Sequence, residues 1–307
     1  MTNSKDQPLV SVWMITYNHE PFVAQAIQGV LMQQCNFSFE LVIGEDCSTD
    51  KTWSICHDYA KANPNINLLT NTSNLGSSAN AYRTFQSCRG KYIALCEGDD
   101  YWIDPLKLQK QVKLLEDNSE CSMCVAKTKM IEDEQQIKIL GCGDKRKYEF
   151  LDILHGPYFH TSTYLIRKEY LDIFHKADPA LKKGDTSYRY FLSDLGPFIL
   201  LDEVVSVYRI TKKGVWTSLS DRDKLISHIN LHNAYYRKFK RKYRSNFSSI
   251  LIRECFELFK YSIYNFSLRY LTISLFGILI GMCRNPKYFI SFFSPKLGLL
   301  RKKLTIS

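Results

Sequence analysis

Glu97, Asp99 and Asp100 place three carboxylates within four positions, directly after the apolar run KYIALC (91–96) and just before Trp102. Like charges this close oppose one another's ionisation unless a cation lies between them. A few oxygen ligands on a loop suit Mg2+ or Mn2+ shared with substrate phosphates. An ordinary acidic turn is the competing account, but the preceding strand and Trp102 favour a pocket wall. Glu45 and Asp46 follow FELVIG (39–44) in the same way. A carboxylate at a strand end can accept hydrogen bonds from a base N–H or from ribose hydroxyls. It can equally cap the next helix, as Ser48, Thr49 and Asp50 can, and the two roles are compatible.

The elements that carry these residues alternate. LVSVWMI (9–15), FELVIG (39–44), INLL (66–69) and KYIALC (91–96) read as short buried strands. Between them lie a segment after Pro21 with Phe22, Val23, Ala26, Ile27, Val30 and Leu31 at helical spacing, a helix carrying Trp53, Cys56 and Tyr59, and an amphipathic stretch from Ser78 to Cys88. This alternation predicts βαβ units and a mostly parallel sheet covered on both faces. Ligands bind such sheets outside the carboxyl ends of the strands, where TYN, EDCSTD and EGDD all fall. Further on, a helix is expected over residues 105–118 and a strand over 121–131. Short apolar runs follow at TYLI (163–166), FILL (198–201) and VVSVYRI (204–210).

Several functions are disfavoured by what is missing. No GxGxxG marks a nicotinamide-binding fold, and no GxxxxGK[ST] marks a P-loop. Cys121 and Cys124 form a CxxC without a second pair, inside an apolar strand pattern, so buried thiols are expected rather than a metal site. His155 and His160 flank a Gly-Pro turn, where a local structural role and an acceptor contact are equally admissible. Ten cysteines in 307 residues are too dilute for a disulfide scaffold. The start MTNSKDQPLV lacks an apolar run, so a cytosolic location without a secretory signal is expected.

The net charge of +10 is unevenly placed: residues 222–307 carry 17 Lys and Arg against 3 Asp and Glu. The basicity belongs to the tail, and no recognised nucleic-acid motif accompanies it, so nucleic acid is not expected as a partner. Arg237, Lys238, Lys240, Arg241, Lys242 and Arg244 form one cluster. An uncharged run from Tyr270 to Cys283 would span about 21 Å as a helix, short of the roughly 30 Å hydrocarbon core. The tail therefore reads as an interfacial anchor on anionic lipid, or as a helix pair packed on the body.

The ordered series VSVWMITYNHE, FELVIGEDCSTDKT, NLGSSANAYR, GKYIALCEGDDYW, GDTSY and DEVVSVYRITKKGVW resembles bacterial family 2 glycosyltransferases of the GT-A fold, over roughly residues 9–218. The resemblance implies an inverting, metal-dependent transfer from a nucleotide-diphosphate sugar, UDP- or dTDP-linked, to a glycan or lipid-linked acceptor in surface-polysaccharide synthesis. It implies a GT-A domain over 1–220, with a nucleotide half to about 118 and an acceptor half to about 220. Residues 221–307 would form a helical tail beyond it, and the enzyme would be peripheral at the inner membrane face. Thr16, Tyr17, Asn18, Glu45, Asp46, Asn74 and Glu97 would bind the nucleotide sugar, with Asp46 the base partner. Asp99, supported by Asp100, would hold Mg2+ or Mn2+, and Asp185 would be the general base. Relatives often read Tyr-Arg-x-His where this chain has Tyr208-Arg209-Ile210-Thr211. The missing His leaves Arg209, Thr211, Lys212 and Lys213 as diphosphate contacts, and leaves a non-catalytic sugar-nucleotide-binding scaffold as the alternative.

Overall fold

Val10–Thr16 (β1) buries almost every residue, on both faces, as a central strand covered by helices must. The computed structural model describes residues 7–182, 184–211, 214, 218–239, 242–264 and 268–293. β1 is followed by Val23–Leu31 (α1), Phe39–Glu45 (β2), Thr52–Ala62 (α2), Ile66–Leu69 (β3), Ser77–Gln86 (α3) and Tyr92–Leu95 (β4). β3, β2, β1 and β4 lie side by side in that order, all parallel. The predicted βαβ units are therefore present. Val12, Met14, Ile27, Leu41, Ile43 and Tyr92 are fully buried in the resulting core. Each such side chain contributes about 1.5–3 kcal/mol relative to exposure.

The second half of the sheet is mixed. Tyr101–Trp102 (β5), Lys107–Glu116 (α4), Met123–Glu132 (β6), Gln135–Leu140 (β7), Lys147–Tyr148 (β8), Phe150–His155 (α5), Leu165–Arg167 (β9), Lys168–Lys176 (α6), Asp185–Leu195 (α7) and Phe198–Arg209 (β10) build it. The order continues β4-β9-β6-β10-β5, with β7 paired to β6 and β8 to β10. β9 runs antiparallel to β4 and β6, while β10 runs parallel to β6. FILL and VVSVYRI are one strand, not two. The register slips between Leu201 and Val204 and again before Ser206, so Asp202 and Glu203 bulge outward. There they meet Lys127 at 2.6 Å and Lys110 at 2.5 Å. Cys121 and Cys124 are fully buried, and burial pushes their thiols up to about 11 and about 12.

The described chain divides into two compact units, residues 1–177 with 184–211, and residues 178–183 with 212–307. The second unit contains Asp221–Lys238 (α8), Arg244–Tyr264 (α9) and Leu268–Arg284 (α10). Ser220 starts α8 by accepting the Asp223 N–H at 3.1 Å. Tyr235, Phe239 and Phe247 stack with centroids 5.7–5.8 Å apart, and His232 pairs with Glu254 at 2.8 Å beneath the surface. Gly281 lets α10 approach α9 closely: a Cβ there would sit 2.3 Å from the Ile252 side chain. On α10, Ile273, Leu275, Phe276 and Leu279 are exposed. Among the described residues no helix is long and apolar enough to cross a membrane.

Candidate active site

The three loops at the carboxyl ends of β1, β2 and β4 are tied together before any ligand is considered. Asn18 adopts φ 54°, a left-handed conformation that Asn tolerates better than most residues. Its side-chain oxygen accepts the Thr49 N–H at 2.8 Å, and its own N–H donates to Ser48 at 2.9 Å. The N–H groups of His19 and Glu20 donate to Thr52 Oγ1 at 2.8 Å and to Asp50 at 3.1 Å. Thr16 is buried at the strand end, whereas Tyr17 is 42% exposed. Of the predicted nucleotide contacts on this loop, Tyr17 presents its ring outward and Asn18 is a brace.

Glu45 and Asp46 are also engaged locally. Glu45 is 1% exposed and accepts the N–H groups of Cys47 and Ser48 at 3.1 and 2.8 Å. Asp46 is 2% exposed and accepts the N–H groups of Leu75 and Gly76 at 2.8 and 2.9 Å, with Asn71 at 3.2 Å. Asn74 donates to the Asp46 carbonyl at 3.0 Å. Asp46, expected to be the base partner, uses its oxygens to hold the 71–76 loop at this corner. Arg83 on α3 reinforces the same corner, donating to Asn80 and Asn71 side chains and to the Thr70 carbonyl.

The acidic loop is the centre of the site. Glu97 is partly exposed, and both its oxygens accept from the Thr161 hydroxyl, at 3.1 and 2.9 Å. Packing around it, with the charges of Asp185 and Asp99, pushes its carboxyl up to about 8. Asp185 is the first residue of α7 and lies far along the chain, yet it is near enough to Glu97 for this effect. Solvent reaches Asp185, while the protein around it raises its carboxyl above the usual range and Arg189 opposes the shift. Asp99 is partly exposed, and one of its oxygens lies 3.9 Å from His19 Nε2.

Asp100 points the other way. It is 2% exposed, accepts the Arg209 N–H at 3.1 Å and lies 3.5 Å from His160 Nδ1. His160 stacks on Tyr208 at 4.0 Å, and burial holds its imidazole neutral, down to about 3. Its role is therefore structural. The Arg209 guanidinium is similarly built in: it donates to the Asp99 carbonyl at 2.9 Å and to the Gln25 side chain, and rests on Tyr101 and Phe22. Arg209, expected to be a diphosphate contact, is 6% exposed and braces the acidic loop. Thr211 stands just beyond β10, and Lys212 and Lys213 lie outside the described residues.

Among the described residues no three His, Cys, Asp or Glu side chains close on a single point as a protein-built metal cage would. Mg2+ and Mn2+ in phosphate-handling sites need no such cage, since one or two protein ligands plus phosphates and water suffice. The donor set present, the partly exposed carboxyls of Asp99 and Glu97, with Glu97 crowded by neighbouring carboxyls that a cation would relieve, fits an ion of that kind.

Sequence reading missed Thr161 and His19. Neither residue type stands out: Thr161 sits in the short turn Thr161–Thr163, and only the fold brings it to Glu97. His19 is part of TYNHE, where an imidazole carries no spacing signal by itself.

The family model that matches is Glycosyl transferase family 2, over residues 11–174. This chain belongs to that family. An uncharacterised protein of Mycobacterium tuberculosis is 32% identical over 222 residues, 70% of this chain and 63% of that protein, so the chain matches less than two thirds of that relative. The putative teichuronic acid biosynthesis glycosyltransferase TuaG of Bacillus subtilis is 33% identical over 119 residues, 39% of this chain and 46% of TuaG. Among solved structures, S. aureus TarS 1–349 with UDP-GlcNAc aligns with TM-score 0.55 at 17% identity, covering 78% of this chain and 75% of that one. A mannosyltransferase of Pyrobaculum calidifontis with GDP-Man and Mn2+ aligns with TM-score 0.56 at 15% identity, covering 92% and 88%. The family 2 glycosyltransferase has the GT-A fold.

Proposed function

We propose that this family 2 enzyme is an inverting, metal-dependent glycosyltransferase that moves a sugar from a UDP- or dTDP-linked donor to a glycan or lipid-linked acceptor in bacterial surface-polysaccharide synthesis. The observation that carries the reading is that Glu97 feels the charges of both Asp99 and Asp185, which come from the loop after β4 and the start of α7. TuaG, named for teichuronic acid biosynthesis, supports the acceptor class, and the UDP-GlcNAc held by TarS supports the donor class.

A sugar leaving on a diphosphate develops negative charge that a bound Mg2+ or Mn2+ stabilises as a Lewis acid. Asp99 would hold the ion, with Asp100 and Arg209 fixing the loop from behind. Tyr17 offers its exposed ring to the base, and the loops pinned by Asn18, Glu45, Asp46 and Asn74 give that pocket its shape. Glu97, kept in place by Thr161, faces the ribose or a water beside it. Asp185 takes the proton from the acceptor hydroxyl as that oxygen attacks the anomeric carbon. A single displacement from the face opposite the leaving group inverts the centre.

The basic residues Arg237, Lys238, Lys242 and Arg244 are exposed on the second unit, which also exposes the apolar residues of α10. These two features support attachment to an anionic membrane surface at the cytoplasmic face, where lipid-linked acceptors are found. The deciding experiment is calorimetry of UDP, dTDP and GDP with and without Mn2+, on wild type and Asp99→Asn. Metal-enhanced nucleotide binding that the substitution removes, together with donor turnover, is expected. Equal binding and turnover in both proteins would overturn the metal assignment.

A further inference from the structure

An imidazole, that of His19 on the β1 loop, stands next to Asp99. Resting on the metal-dependent reading above, we infer that His19 is the second protein ligand of the divalent ion, so that Asp99 and His19 form a mixed oxygen–nitrogen pair completed by donor phosphates and water.

The two side chains are close enough to share one ion. His19 Nε2 and Asp99 Oδ2 are 3.9 Å apart, beyond hydrogen-bond range. One ion with bonds of about 2.1 Å can reach both atoms at this separation after a small side-chain adjustment toward regular geometry. Both side chains are partly open, 24% and 21% exposed, so an ion and its phosphates can reach them.

The imidazole is also held as a metal-bound one usually is. Its Nδ1 lies 3.3 Å from the Thr16 hydroxyl, and when Nδ1 donates there, the lone pair of Nε2 is turned toward Asp99. The backbone beneath it is anchored by the bond from the His19 N–H to Thr52. Gly98 makes the approach possible: a Cβ at that position would lie 2.5 Å from Thr16 Oγ1 and 2.9 Å from His19 Nδ1. The glycine inside the acidic motif thus lets the β4 loop seat against the β1 loop, and the two donors come from those two loops. An imidazole in the set favours Mn2+ and other transition ions over Mg2+, which prefers oxygen.

The test is Mn2+ binding to the full-length protein, followed by electron paramagnetic resonance in the presence of UDP and, separately, GDP. Wild type, His19→Gln and Asp99→Asn are compared, with circular dichroism confirming that each is folded. The wild-type complex should show nitrogen-14 coupling to the bound Mn2+ in pulsed spectra, and His19→Gln should lose it. The same substitution should weaken Mn2+ binding on the order of tenfold, a loss of the size seen when imidazole ligation is disturbed, and change Mg2+ binding far less. Asp99→Asn should reduce binding of both ions. Mn2+ bound through Asp99 with nitrogen coupling absent, or unchanged in His19→Gln, overturns the role of His19 and leaves the metal-dependent reading standing. Failure of wild type to bind Mn2+ with either nucleotide overturns both.

Discussion

The hydroxyl of Thr161 bridges both carboxylate oxygens of Glu97, at 2.9 and 3.1 Å, across 64 residues of sequence. It fixes the rotamer of a carboxyl that its surroundings have already pushed up to about 8. A hydrogen bond to a largely neutral carboxyl is worth about 0.5–1.5 kcal/mol of stability, so its loss should be felt in function before stability. Thr161→Val is expected to lower kcat/KM by about tenfold, the kinetic equivalent of ~1.4 kcal/mol, with a small change in Tm. Thr161→Ser should recover most of the loss. Steady-state kinetics of the pair decide it, and equal defects in both would show that the methyl, not the hydroxyl, matters.

Asp185 is expected to act on the acceptor and not on the donor. Asp185→Asn should bind nucleoside diphosphate with unchanged affinity while transfer falls by roughly 10²–10⁴, the usual contribution of a general base. Calorimetry and turnover on the same preparation separate the two effects. Retained turnover would exclude the residue from proton transfer.

Lys107, buried behind the acidic loop, gives the molecule a pH dependence of its own. Its ammonium is fully buried, donates to Gln111 at 2.8 Å and sits 4.0 Å over the Trp102 ring, with Cys96, Cys124 and Asp104 the ionisable groups around it. Burial pulls its pKa down from 10.5 to about 7. Between those values the unfolded chain binds a proton that the folded chain lacks, so stability rises with pH across that window. Below pH 7 the full penalty applies. Each pKa unit is worth about 1.4 kcal/mol, so Lys107→Met should remove a contribution of a few kcal/mol to the slope between pH 7 and 10. Urea unfolding of both proteins at pH 6.5 and 9.5 measures it, and parallel pH profiles would refute the assignment.

The exposed apolar face of α10 should govern salt-resistant membrane binding. Replacing Ile273, Phe276 and Leu279 together by Ser should leave low-salt association with anionic liposomes largely intact and abolish the part that persists in high salt. The electrostatic part is worth up to about 1 kcal/mol per basic residue and is screened within a Debye length. Liposome sedimentation at two salt concentrations tests this. Full-length protein that stays in the supernatant at low salt would mean that the second unit is not an anchor.

The first half of the sheet was readable because parallel strands buried on both faces leave continuous apolar runs, as β1, β2 and β4 do. The second half was less so. The two apolar runs of β10 looked separate because Asp202 and Glu203 interrupt them, and a bulge that turns two charges outward has no period of its own. Residue type also signals that Glu45, Asp46 and Arg209 are potent hydrogen-bonding groups without revealing what engages them. For Glu45 and Asp46 the partners are backbone N–H groups, which every residue supplies alike. Thr161 and His19 carry the opposite lesson, since common residues acquired a place in the site purely through the path of the chain.

Strand β5, directly after the acidic loop, finds its partner in β10, more than a hundred residues later, and Arg209 at the end of that strand also grips the Asp99 carbonyl. During synthesis the first four parallel strands can therefore assemble on the ribosome while the segment after Glu97 still lacks its support. Contacts of such long sequence separation are slow to form because loop closure must come first. A nascent chain ending before residue 198 would hold the corner formed by the β1 and β2 loops without a settled acidic loop. Competence for catalysis should then arrive late, when β10 slots between β6 and β5.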